Sequence, residues 1–125
     1  MLDKLRRRTT GDEGFTLIEL LVVIIIIGIL LAIAVPSYLG FKDRANKAAA
    51  EANVRSSIPS VETYFADNNT YAGMTVTALA KYDAGVKVSV QAGATTSMYC
   101  VFATVGGFTY RKAGPAGSIT SGACP

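Results

Sequence analysis

The sequence predicts an α+β protein in which a long N-terminal helix, membrane-spanning in its first half and amphipathic in its second, packs on a small antiparallel sheet of about three strands. Three patterns lead there: an apolar run from Phe15 to Val35, a stripe of apolar residues at helical spacing beyond it, and alternation with a Gly-Gly pair in the last third. The 125 residues accordingly divide into a charged head, residues 1–14, a hydrophobic helix, residues 15–37, and an amphipathic helix with a β domain, residues 38–125.

The head gathers Lys4, Arg6, Arg7 and Arg8, and from Phe15 to Val35 the only charged side chain is Glu19. A helix of about 21 residues, rising about 1.5 Å per residue, covers the roughly 30 Å hydrocarbon core of a bilayer. Basic residues ahead of such a run stay on the cytoplasmic side, which sends the C-terminal part across. A secretory signal peptide shares the basic-then-apolar order, but it is cut after its apolar stretch at a small-residue site. Here the run exceeds the usual length of that stretch and leads through Pro36-Ser37-Tyr38 into a charged helical pattern. It is therefore read as retained.

The residues Gly14-Phe15-Thr16-Leu17-Ile18-Glu19-Leu20-Leu21-Val22-Val23, continuing through Gly28, Ile29 and Leu30 to Pro36, closely resemble the N-terminal signature of type IV prepilins and the related pseudopilins. Hydrophobicity alone requires neither a glycine before the phenylalanine nor a glutamate four residues after it, so the resemblance is specific. Beyond Pro36 it extends only to general plan. It implies that prepilin peptidase cuts between Gly14 and Phe15 on the cytoplasmic side and methylates the new amine of Phe15. Gly14, lacking a side chain, lets a protease approach the backbone closely. Residues 1–14 are then a leader peptide, with Asp12 and Glu13 placing acidic groups beside the cut.

A carboxylate inside an apolar helix costs roughly 2.5–3.5 kcal/mol on insertion scales, so Glu19 needs a partner or a proton. The resemblance supplies a partner in the freed amine of Phe15, four residues away on one helix face or on a neighbouring subunit of a filament. The alternative is a glutamate that reaches the cytoplasmic headgroups. Gly28 and Pro36 weaken the helix, the first through backbone entropy and the second by removing a donor and crowding the preceding turn. Membrane helices tolerate both; the resemblance implies a segment that stretches or unwinds when subunits pack.

From Tyr38 to about Phe65 the pattern is amphipathic, with Ala50, Val54, Ile58, Val61 and Phe65 forming a stripe that can cover a sheet. Lys42, Asp43, Arg44, Lys47 and Glu51 read as a solvated or intersubunit face, and Pro59 is expected to kink the helix or end it early. Asn68-Asn69 reads as a turn, and the Asn68-Asn69-Thr70 triplet is turn chemistry rather than a glycosylation acceptor. Val86, Val88 and Val90 alternate with Lys87, Ser89 and Gln91, the period of a half-buried strand. Ser97–Val105 and Phe108–Lys112 flank Gly106-Gly107, a two-residue hairpin signal.

A domain of this size is only marginally stabilised by one core. Cys100 and Cys124, the only cysteines, would close a loop of about 25 residues worth about 3.5 kcal/mol in the chain-entropy model. Type IV pilins commonly pin the C-terminal segment in this way, on the oxidising side of a membrane. The alternative is a pair of unlinked small hydrophobes.

The chain has no histidine and its two cysteines stand close to its end. The usual zinc-ligand and Cys/His or Ser/His catalytic sets therefore cannot be assembled. No enzyme activity, metal or cofactor is expected. A formal charge of +3, with four basic residues in the head, leaves no nucleic-acid footprint. The expected function is that of a structural subunit of a type IV pilus-like filament. Its partners are further copies of itself as a homopolymer, prepilin peptidase, the membrane and the pilus assembly machinery. It would sit first in the cytoplasmic (inner) membrane and then in an extracellular filament. The alternatives are a pseudopilin of a type II secretion system, against which stands the absence of Asp and Glu after Asp83, and a bitopic anchor for a small binding domain.

Overall fold

The computed structural model describes residues 14–125. The basic cluster Lys4–Arg8 and the acidic pair Asp12 and Glu13 lie outside the described residues. The elements are α1 (Leu17–Asn68), α2 (Val76–Leu79), β1 (Ser89–Val90), β2 (Tyr99–Val105), β3 (Phe108–Gly114) and β4 (Ile119–Ser121). The chain divides into two compact units, one ending at Leu39 and the other comprising Gly40–Pro125.

In the first unit every described residue is exposed. Its isoleucines and valines are poor helix formers in water, because branching at Cβ restricts their rotamers against the preceding turn. A bilayer reverses the balance, since a lone segment there must satisfy its own backbone and only a helix does so. Helix α1 runs unbroken through Gly28 and Pro36. One turn before Ser37, the carbonyl of Ile33 accepts a hydrogen bond from the Ser37 hydroxyl at 3.2 Å.

In the second unit α1 continues through Pro59 and stops at Asn68, which corrects the expectation of an early end at Pro59. Arg55, whose carbonyl loses its helical donor to the proline, lies on the exposed side, and Pro59 itself is no part of the buried face. Water can therefore satisfy the orphaned group, and the helix survives. Its C-terminus is closed by Asn69, at φ 55 in the left-handed region, and by the Asn68 side-chain amide donating to the Tyr64 carbonyl at 2.9 Å. Asparagine adopts that conformation more readily than other non-glycine residues.

The buried face of α1 runs through Ala50, Val54, Ser57, Ser60 and Val61, whereas Ile58 and Phe65 of the expected stripe are only half-buried. Ser57 can lie fully inside because its hydroxyl donates to the Val54 carbonyl at 2.7 Å. Val54 and Val61 pack with Tyr71, Met74, Leu79, Val88, Tyr99, Val101 and Ala103 in one core. Each valine or leucine among them stabilises the fold by roughly 1.5–3 kcal/mol on burial. Phe65 stacks on Tyr71 with centroids 4.5 Å apart, and Tyr71 meets Tyr99 at a tilt of 51° with centroids 4.7 Å apart.

The sheet has four strands in the order β1-β2-β3-β4, all neighbours antiparallel, one more than expected. Tyr99, Val101 and Ala103 alternate inward along β2. The valine alternation holds in burial at Val88, yet only Ser89 and Val90 join the ladder, opposite Phe102 and Val101. The β2–β3 turn is Gly106-Gly107 with Val105 paired to Phe108. Both glycines have positive φ, 58° and 84°, as the tight turn favoured by strand twist demands. A Cβ at Gly106 would also collide with the Asn46 side chain. The next helix residue, Lys47, holds its ammonium 4.9 Å from the centroid of the Phe108 ring. Strand β4 pairs Ile119–Ser121 with Tyr110–Lys112.

Candidate functional site

Helix α1 begins with a reciprocal cap. The backbone N–H of Glu19 donates to the Thr16 hydroxyl at 3.2 Å, and the Glu19 carboxylate accepts from the Thr16 backbone N–H at 3.4 Å and from its hydroxyl at 3.3 Å. This is a capping box, which satisfies donors that the first helical turn leaves unpaired. It also places a negative charge where the helix dipole favours one. The carboxylate therefore engages Thr16, beside the Gly14–Phe15 bond. The role of Thr16 is not apparent from the prepilin-like motif, although the pattern Thr16-x-x-Glu19 ahead of an apolar run is itself a capping signal.

Gly14 and Phe15 are exposed, Phe15 at 89 %. Gly28 and Pro36 lie within α1, and a Cβ at Gly28 would meet nothing within 4 Å, so packing within the chain does not demand a glycine there. The described residues contain one helix long and apolar enough to cross a membrane, and the apolar window within it is unburied.

Far along the chain Cys100 and Cys124 are joined in a disulfide with Cα atoms 6.0 Å apart. It is one of several ties on the C-terminal tail, which begin with the Gly122 N–H donating to the Thr109 carbonyl at 2.9 Å. Arg111 donates to the Ala123 carbonyl, and the Gln91 side-chain amide donates to the Pro125 carbonyl at 2.6 Å. The tail is thus fastened to β3, to β2 and to the residue after β1.

Tyrosines close the core. Tyr71 donates to the Glu62 carboxylate at 3.2 Å, and burial, reinforced by that charge and hydrogen bond, pushes its phenol above the ordinary tyrosine range. Tyr99 is pushed up further, mainly by burial and then by the charges of Glu62 and Tyr71. Tyr82 is raised chiefly by its hydrogen bond to Asp67, at 2.8 Å.

These features define a protein with one membrane-grade helix, capped beside a Gly-Phe junction, and a small disulfide-closed α+β domain. Residues 10–35 match the model of the prokaryotic N-terminal methylation motif. The chain is 38 % identical over 101 residues to the type IV wide pilus major component PilA4 of Thermus thermophilus, covering 78 % of this chain and 76 % of that protein. It is 35 % identical over 68 residues to the type IV major pilin PilA of Myxococcus xanthus, covering 54 % of this chain but only 31 % of that protein. It is also 38 % identical over 65 residues to the type II secretion system core protein G of Escherichia coli, covering 52 % and 45 % of the two chains. The chain belongs to the type IV pilin family, with the pseudopilins as relatives.

Proposed function

We propose that the chain is a structural subunit of a type IV pilus-like filament. Prepilin peptidase cuts it between Gly14 and Phe15, and it assembles through the apolar first half of α1. The observation that carries this reading is the combination, at one end of an uncovered apolar helix, of the methylation motif with a carboxylate at Glu19. Cleavage converts the Phe15 nitrogen into an amine one turn from that carboxylate, and a neighbouring subunit can present the same amine. A pilin relative matched over 78 % of the chain favours a pilus over a secretion pseudopilus, whose relative matches over 52 %. In the same reading the subunit waits in the inner membrane and the assembly machinery draws it into an extracellular filament, with Gly28 and Pro36 allowing the helix to give way as subunits pack.

Two substitutions separate the cap from the charge. Glu19→Gln keeps an acceptor for Thr16 but no charge, whereas Glu19→Ala removes both. Both variants are expected to insert into the membrane as well as the native chain or better, because neither adds a charge to the apolar run. Both are also expected to leave cells without filaments by negative-stain microscopy. Native filament numbers from Glu19→Gln would show that capping, not pairing with an amine, is the role of Glu19.

A further inference from the structure

The uncharged part of α1 is not centred on the most apolar stretch. From Leu20 to Phe41 the helix carries no charged side chain, and it is bounded by Glu19 on one side and Lys42 on the other. Those residues extend about 33 Å at about 1.5 Å each, close to the roughly 30 Å of hydrocarbon. Seating Phe15–Val35 in the core instead would draw Glu19 a turn inside it. It would also leave Tyr38, Leu39 and Phe41 in water, although they are 64, 54 and 70 % exposed within the chain. Sliding the helix by about five residues returns Glu19 and its cap to the wet interface. It also brings Tyr38 and Phe41 to the far boundary, where aromatic side chains concentrate.

In that register Lys42 and Arg44 fall at the phosphates of the far leaflet. Both are exposed, and the ion pair among the described residues joins Arg55 to Glu51 instead. The other nearby charged groups are Asp43, between them, and Lys47, which lies over Phe108. At about 100° per residue, Phe41 and Arg44 lie about 60° apart and Lys42 about 100° to the other side of Phe41, so the three share one arc of about 160°. An uncharged helix of bilayer length that ends in aromatic and then basic side chains has the order in which a helix leaves hydrocarbon for headgroups.

We propose that the membrane-held form seats Leu20–Phe41 in hydrocarbon and that Phe41, Lys42 and Arg44 form a patch at its far end that binds the headgroups of anionic phospholipid. This rests on the reading of α1 as a membrane anchor. The chain has no tryptophan, so a single reporter can be introduced without background. The full chain carrying Phe41→Trp, and separately Ile26→Trp, is reconstituted in vesicles of phosphatidylcholine with and without phosphatidylglycerol, using lipids brominated near the headgroup or near the chain end. The indole of Phe41→Trp is expected to be quenched best by bromine near the headgroup, and that of Ile26→Trp by bromine near the chain end. Brominated phosphatidylglycerol should quench the Phe41→Trp reporter with about threefold higher apparent affinity than brominated phosphatidylcholine. Adding Lys42→Gln and Arg44→Gln should abolish that preference.

A deep indole in Ile26→Trp, together with one in Phe41→Trp as open to iodide as the free amino acid, would overturn the register while leaving the anchor standing. Failure of the Ile26→Trp reporter to enter the vesicles would overturn both. Equal quenching by the two lipids would refute the headgroup-binding patch. So would a chain carrying Lys42→Gln and Arg44→Gln that keeps native lipid preference yet loses filaments, because it would assign these residues to a neighbouring subunit.

Discussion

Tyr99 is 4 % exposed, and its hydroxyl has no hydrogen-bond partner among the described residues. Its ring lies so close to Gly114 that a Cβ there would strike it, which shows how tightly the aromatic stack is seated against β3. A buried hydroxyl without a partner costs about 1–3 kcal/mol by mutational measures. Tyr99→Phe keeps the ring and removes that cost, so it is expected to raise stability by about 1 kcal/mol in denaturant unfolding of the detergent-solubilised chain. A loss of that size would mean that the hydroxyl is satisfied in solution. At this scale the sequence was partly legible. Glu19 stood out as a lone charge in an apolar run, and Cys100 and Cys124 as a lone pair. Thr16, Ser57 and Tyr99 did not, because their importance comes from which neighbour each hydroxyl reaches or fails to reach.

Among the elements, α1 was the most legible, because its two halves carry two different signals, unbroken apolarity and then helical periodicity. The Gly106-Gly107 turn was equally plain, since no other pair meets the demand for positive φ so cheaply. Strand β4 was not foreseen: Ile119–Ser121 is too short to show a period, and it exists because β3 offers it an edge. Helix α2 also escaped notice, being a single turn capped by the Thr75 side chain at 3.2 Å from the Ala78 nitrogen. The disulfide decides how firmly this short-stranded sheet holds the tail. Replacing Cys100 and Cys124 together by serine is expected to destabilise the second unit by about 3.5 kcal/mol, from the freedom regained by a loop of about 25 residues. Calorimetry or denaturant unfolding reads that directly. A loss below about 1 kcal/mol, well short of the chain-entropy value, would show that the bonds from Arg111 and Gln91 hold the tail without the covalent link.

For the whole molecule, alkaline pH is the condition most directly tied to the core. Tyr71 and Tyr99 have phenols raised above the ordinary value in the folded state. The unfolded chain therefore gives up these protons first as pH rises past about 10. Folded protein then binds more protons than unfolded, so stability is fully present below that pH and falls above it. Thermal unfolding at about pH 9 and about pH 11, on either side of the unfolded phenol value, should show the lower midpoint at the higher pH. The difference should shrink in Tyr99→Phe, and its absence in the native chain would contradict the burial of these phenols.

Processing at Gly14–Phe15 followed by assembly is read most directly from the intact mass of the subunit in filaments sheared from cells that express the chain. The expected mass is that of residues 15–125 with one N-methylation, less two hydrogens for the Cys100–Cys124 disulfide. Filaments whose subunits still carry residues 1–14 would contradict it, as would filaments from which the chain is absent.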